Sequence, residues 1–220
     1  MNNPQHMLKT LAQNLGADIV GFCQLPTPVQ GFSYAVSLGV KLTDAVLKTI
    51  DTAPSFVYFQ HYRTANTLLD TIAFRVAREL EKAGFSALPV AASQSLGKNN
   101  PYHGVIPHKT VASLSGLGFV GKSGLFLSPE FGSKVRLATI LTDMPLQSEL
   151  PVIENGCGDC ERCKKACPAG AIYGETPKMD GTRNFDAEKC SRYMKDHFQD
   201  IGRGSVCGVC IRVCPKNKLI

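Results

Sequence analysis

Eight of the nine cysteines of this 220-residue chain lie within its last 64 residues, and their spacing has a chemical reading. They run Cys157-x2-Cys160-x2-Cys163-x3-Cys167-Pro168, then Cys190, then Cys207-x2-Cys210-x3-Cys214-Pro215. A cuboidal [4Fe–4S] cluster needs a thiolate on each of four irons, and a C-x2-C-x2-C loop wraps three of them with successive backbone turns. The fourth must come from elsewhere, and in paired loops of this kind the cysteine before proline ligates the other cluster. The spacing therefore predicts one cluster on Cys157, Cys160, Cys163 and Cys214. The second loop is one cysteine short, so Cys190, 17 residues before Cys207, is expected to complete the other set with Cys167, Cys207 and Cys210. A chain so equipped moves electrons one at a time.

Competing uses of these thiols fit less well. Zinc takes C-x2-C pairs too, but its structural sites use two separated pairs rather than a triplet with a crossed Cys-Pro. Disulfides need an oxidising compartment. The opening residues MNNPQHMLKTLAQ contain no apolar signal segment, and no 18-residue apolar run occurs. The expectation is a cytoplasmic protein with no membrane span.

Composition bounds the rest. With 44% apolar and only 19% charged residues, the chain is long and apolar enough to bury a sizeable core. Its formal charge of +6 omits the cofactors, each of which, with four thiolates, adds about −2 when oxidised. The basic excess is therefore weak evidence for a nucleic-acid partner. The local run Arg162, Lys164, Lys165 reads as a solvated face around the first cysteine loop, able to steer an acidic electron donor.

The elements that must position this chemistry follow from periodicity. Residues 5–15 read as a helix stopped by Gly16, 17–22 and 32–38 as strands, and 43–50 as a short helix capped by Thr43. Residues 55–83 read as a long helix ending at Gly84, with a core stripe of Leu68, Leu69, Ile72, Ala73, Val76, Ala77 and Leu80. A strand at 87–91 leads into the polar loop SQSLGKNNPYHGVIP, a helix follows Pro107, and strands are expected at 124–127 and 135–141. The predicted organisation is an α+β chain: an α/β domain over residues 1–150 and a ferredoxin-like two-cluster module over 151–220. Cys23 reads as a buried small hydrophobe, and Asp143 as a turn former before Pro145.

Gly116, Gly118 and Gly121 match G-x-G-x-x-G, but the segment follows a helix rather than a strand, the wrong order for a dinucleotide fingerprint. It reads better as a tight backbone passage that lets a ligand or cluster approach. Gly118, Gly121 and Lys122 are the cofactor-binding candidates, with Lys122 available to an anionic group.

The succession of this glycine-lysine segment, Gly132-Ser133, Thr142-Asp143, Leu146 and the double cysteine module resembles the epoxyqueuosine reductase family and its short iron–sulfur relatives, which share ancestry with reductive dehalogenases. The Gly16-Ala-Asp-Ile-Val-Gly21 turn and the long central helix match as well. The resemblance implies a flavin-reductase (nitroreductase-like) α/β domain, two [4Fe–4S] clusters and, in characterised members, a base-off cobalamin beside one of them. Electrons would pass from a low-potential ferredoxin- or flavodoxin-type donor through the clusters to a substrate or corrinoid, with the cofactor doing the hard chemistry.

Two departures bear on activity. Counting back from the glycines, the family's proton-donating aspartate falls on Tyr102, its glutamate on His108 and its arginine on Lys109. Tyr102 and His108 are thus the candidate catalytic groups, with His103 beside them. The chain also stops six residues after Cys214, where family members continue into a tRNA-holding helical region, so tRNA is not the expected substrate. The expected function is an iron–sulfur oxidoreductase; the alternative is a non-catalytic electron carrier that reduces a partner such as a corrinoid protein.

Overall fold

The computed structural model describes residues 4–97, 102–154, 156–176, 184–202 and 206–218; residues 98–101 of the expected polar loop lie outside them. The architecture is mixed α/β. Along the chain come α1 (Pro4–Asn14), β1 (Ile19–Val29), β2 (Phe32–Lys41), α2 (Asp44–Leu47), α3 (Phe56–Lys82), β3 (Ala87–Val90) and α4 (His108–Leu114). Then follow β4 (Phe119–Val120), β5 (Phe126–Leu127), β6 (Val135–Thr142), α5 (Arg162–Ala166), α6 (Ala187–His197), α7 (Val209–Arg212) and a final 3-10 turn, Pro215–Asn217.

Two compact units emerge. The first comprises Met1–Lys41, Ala65–Phe119 and Arg136–Ile153; the second comprises Leu42–Thr64, Val120–Val135 and Glu154–Ile220. The last change of unit falls at Ile153/Glu154. The second unit also gathers two earlier segments, a non-local association that periodicity does not report.

The first unit is built on a four-stranded sheet of order β1-β2-β6-β3. β1 and β2 form an antiparallel hairpin whose two turn residues, Gln30 and Gly31, both have positive φ (53° and 84°), the geometry that matches strand twist. β1 carries Pro26 and Pro28, and β3 carries Pro89; both strands are sheet edges, where a missing N–H costs no ladder bond. Helices α1 and α3 supply Leu8, Ala12, Leu69, Ile72, Val76 and Leu80 to a core with Val20, Phe22, Val36 and Leu38. Residues of opposite strand parity, Cys23, Leu25 and Ala35, pack instead with Val111 of α4 and with Ile106. Cys23 is indeed buried, and burial raises its thiol pKa.

Helix α3 ends as its glycine suggests. Gly84 sits at φ 88°, and Phe85 N–H reaches back to Leu80 O at 3.1 Å, a Schellman closure. Leu68 departs from the expected stripe: it lies at its edge, 37% exposed, with its methyls 3.7–3.8 Å from the space above Gly16. Thr43 occupies the position before α2, but its side chain makes no capping bond, so the start of that helix is supported otherwise. Asp143 does more than form a turn: its carboxylate accepts from Ser86 N–H at 2.8 Å, pinning the end of the β3–β6 pair.

In the second unit, Asp44 of α2 pairs with the buried Lys134 at 2.5 Å, and Thr43 N–H donates to His61 Nε2 at 3.0 Å. No helix among the described residues is long and apolar enough to cross a membrane.

Candidate functional site

The cysteine region is two copies of one local design. A loop carrying C-x2-C enters a single helical turn, α5 or α7, and a Cys-Pro leaves it; Cys160 N–H caps back to Cys157 O at 3.1 Å, and Cys214 N–H to Ile211 O at 3.1 Å. Cys190 arrives from a real helix, α6, whose N-cap Asp186 accepts from Lys189 N–H at 2.8 Å. All eight cysteines are half-buried, and none is joined in a disulfide.

Their mutual electrostatics sort them. Burial raises the Cys163 thiol pKa, helped by the charges of Cys157, Cys214 and Cys160; Cys214 is likewise raised by burial and feels Cys157 and Cys160. Burial pushes Cys190 up to about 11, and its cysteine neighbours are Cys167 and Cys207. Cys210, also raised by burial, feels Cys207, Cys190 and Cys167 first and Cys163 last. The near charges thus fall into two quartets, Cys157/160/163/214 and Cys167/190/207/210, which adjoin at Cys163 and Cys210.

The surroundings fit iron–sulfur clusters. Sulfur atoms receive backbone N–H groups: Ala171 donates to Cys167 Sγ at 3.4 Å, Lys164 to Cys163, Val209 to Cys207 and Lys216 to Cys214. Such donors stabilise thiolate charge that burial opposes. Among the described residues no three His, Cys, Asp or Glu side chains converge tightly enough for a single metal ion. A cuboidal cluster asks for a different arrangement, one thiolate at each of four irons.

Two features outside the cysteine motifs shape this region. A Cβ on Gly121 would lie 2.6 Å from Leu127 Cδ1 and 3.1 Å from Cys157 Sγ, so the glycine segment passes directly beside the Cys157 thiol. Asn217, 1% exposed, accepts from Ser133 N–H at 2.7 Å and from Ser133 Oγ at 3.0 Å, and donates to Ile211 O at 2.6 Å. Ser133 also hydrogen-bonds Cys214. Gly132, at φ 61°, leaves room for this clasp: a Cβ there would sit 2.5 Å from Asn217 Oδ1 and 2.7 Å from the Lys216 carbonyl.

A separate cavity of about 410 Å³ opens in the first unit where β3 ends. Tyr102, His103 and His108 line it together with the backbone of Ala91 and Ala92. His108 is held firmly. Its Nε2–H donates to Ala91 O at 3.0 Å, which leaves Nδ1 to accept from Thr139 Oγ1 at 2.8 Å. Burial lowers its pKa, so it is a neutral imidazole with both ring nitrogens used. Ala92 is gripped from two sides: its N–H donates to Asp70 Oδ1 at 2.7 Å and its carbonyl accepts from Arg136 at 3.1 Å. Arg136 Nε also donates to Asn66 Oδ1 at 2.9 Å. The cavity therefore has a pinned backbone floor, with Tyr102, 38% exposed, on its wall.

The sequence candidates are thus distributed. Tyr102 and His108 share the cavity; Lys122 and Gly121 belong to the second unit, Gly118 to the first, and none of these three lines it. Lys122 and Gly121 instead offer their carbonyls to Asn184 Nδ2, each at 2.9 Å. Asn66, Asp70, Thr139 and Arg136 were not anticipated. The spacing of Asn66 and Asp70, one turn apart at the edge of an apolar stripe, was the available signal.

Comparison with known proteins adds the family context. Residues 156–217 match the 4Fe-4S double cluster binding domain. The epoxyqueuosine reductase of Lactococcus garvieae is 36% identical over 124 residues, covering 52% of this chain and 33% of the relative. The tetrachloroethene reductive dehalogenase of Sulfurospirillum multivorans is 32% identical over 111 residues, 47% of this chain and 22% of that one. A reductive dehalogenase whose structure suggests a mechanism for B12-dependent dehalogenation superposes with a TM-score of 0.78 at 24% identity, covering 96% of this chain and 31% of the other. Epoxyqueuosine reductase with a tRNA stem loop superposes with a TM-score of 0.66 at 20% identity, covering 97% and 65%. The chain spans between about a fifth and a third of the length of the curated relatives it matches. The chain is thus similar in sequence to epoxyqueuosine reductases and reductive dehalogenases, and its cysteine-rich region matches a double 4Fe-4S cluster domain.

Proposed function

We propose that this protein is an iron–sulfur reductase in which residues 1–150 form a nitroreductase-like substrate domain and residues 151–220 a ferredoxin-like electron-transfer module. The observation that supports it most is the sorting of eight half-buried thiols into two adjoining quartets. When bound, the clusters supply one-electron steps at low potential. Cys157, Cys160, Cys163 and Cys214 would hold one cluster and Cys167, Cys190, Cys207 and Cys210 the other, and the two sets adjoin at Cys163 and Cys210. A low-potential ferredoxin- or flavodoxin-type carrier is the donor.

The cavity at Tyr102 is of a size for a small organic substrate. Its pinned floor fixes the groups around it, and Tyr102 is the residue that can give up a proton at its hydroxyl. His108 orients that floor as a neutral ring rather than delivering a proton. Gly118, Gly121 and Lys122 remain candidates for contacting a bound cofactor. Cobalamin belongs to the proposal as a cofactor or as part of a partner; 410 Å³ is too small to enclose a corrin macrocycle, so no step is assigned to it. A tyrosine at the position of the family's aspartate argues for a substrate other than tRNA.

The occupied ring nitrogens of His108 favour one second reading, that of an electron carrier which reduces a corrinoid protein. The test is reoxidation of the reduced, anaerobically reconstituted protein. Catalytic turnover of a small acceptor that falls 10²-fold or more in Tyr102→Phe supports the enzyme. Reoxidation by added hydroxocobalamin or a corrinoid protein, indifferent to Tyr102→Phe, supports the carrier. Failure of every acceptor to reoxidise the protein contradicts both.

A further inference from the structure

We propose that an open cavity of about 610 Å³ on the iron–sulfur unit is the docking site of an acidic electron-carrier protein, and that electrons enter the molecule at Cys214. Four of its lining residues, Arg162, Lys165, Arg212 and Lys218, are cations; none is a carboxylate, and Cys214 with Pro215 forms part of the wall. The inference rests on the electron-transfer reading above and names where the donor binds.

The cations are not an undifferentiated basic run. Lys164, in the same sequence stretch, is paired with Glu161 at 3.3 Å and is not part of the cavity, whereas Arg162 and Lys165 of α5 face it. Arg212 comes from α7 and Lys218 from the turn after the second Cys-Pro, so three separate segments concentrate positive charge on one concavity. Arg212 Nε is buried and has no hydrogen-bond acceptor among the described residues. That nitrogen faces inward; the side chain as a whole lines the concavity, and a guanidinium fork suits a carboxylate.

A nucleic acid would meet the same charge, but the wall contains no aromatic side chain on which a base could stack. It does contain Cys214, so a partner seated here touches a cluster ligand directly. That contact suits an electron carrier, which must come close to the cluster it reduces. The step balances simply: the carrier is oxidised by one electron, the cluster held by Cys214 is reduced by one, and no bond or proton moves.

The test is stopped-flow reduction of the anaerobic holoprotein by a reduced, strongly acidic flavodoxin, across a range of ionic strength. For the Arg162→Glu, Lys165→Glu double variant the second-order rate constant should fall about tenfold or more at low salt, and added salt should bring the natural protein down toward the variant. Reduction by methyl viologen radical cation should not fall. Lys218→Glu should give a smaller loss in the same direction, and it supplies the answer if the double variant does not assemble its clusters. Salt-independent reduction at equal rates in all these proteins, each with full iron and sulfide, overturns the docking site. So does a tRNA whose binding is lost in the variants while flavodoxin reduction is unchanged. Absence of labile iron and sulfide from the natural protein would instead overturn the electron-transfer reading beneath it.

Discussion

Asn217 follows the second Cys-Pro by two residues and uses its whole amide within the protein, holding Ser133 with its oxygen and Ile211 with its nitrogen. Asn217→Ala leaves a buried N–H and a buried carbonyl without partners, at about 1–3 kcal/mol each. Denaturant unfolding should show a loss of about 3 kcal/mol, with Asn217→Asp less damaging because Oδ1 remains. A ligand-crossing test belongs at the same scale. Cys214→Ala should alter the spectrum of the cluster held by Cys157, Cys160 and Cys163; a change confined to the Cys207/Cys210 cluster would reverse the assignment. His108 gives a pH dependence. Its folded pKa is lowered by burial, so below the unfolded value of about 6.5 the unfolded chain binds a proton that the folded chain does not. Stability is therefore full above that pH and should fall as pH drops through it. His61, lowered for the same reason, contributes with the same sign, so His108→Gln should reduce the slope without removing it.

At the scale of elements, the glycine segment after α4 is the informative case. Gly121 is legible in the sequence as a tight passage, and the structure gives the reason: Leu127 and Cys157 Sγ occupy the space a side chain would need. Gly121→Ala should weaken the cluster served by Cys157, so that iron per chain after desalting falls toward half while the long helix, read by circular dichroism, is unchanged. Full iron in that variant would show that the loop can yield. Helices α1 and α3 and the hairpin strands were legible because their apolar spacing is local. The grip of Asp70 and Arg136 on Ala92 was not, because it joins residues 22 and 44 positions apart and leaves no periodic trace. The setting of His108 was not legible for a related reason: the sequence shows a titratable ring, but only its partners, Ala91 and Thr139, reveal that both nitrogens are engaged.

For the whole molecule, the cysteine spacing carried the chemistry, while the path of the chain through two discontinuous units was invisible to it. The grouping of Leu42–Thr64 and Val120–Val135 with the cysteine region depends on contacts such as Lys134 with Asp44, which no short-range pattern encodes. The raised thiol pKa values also have a consequence for assembly. Cys163, Cys190, Cys207, Cys210 and Cys214 are pushed up by burial before any metal arrives, so cluster insertion must release their protons and should be markedly slower at pH 6 than at pH 8. Iron incorporation followed at 400 nm would check it. The central claim, two [4Fe–4S] clusters on eight cysteines, is tested most directly by iron, zinc and acid-labile sulfide analysis of anaerobically reconstituted protein. The account predicts about eight irons and eight sulfides per chain; two zinc ions and no labile sulfide would contradict it.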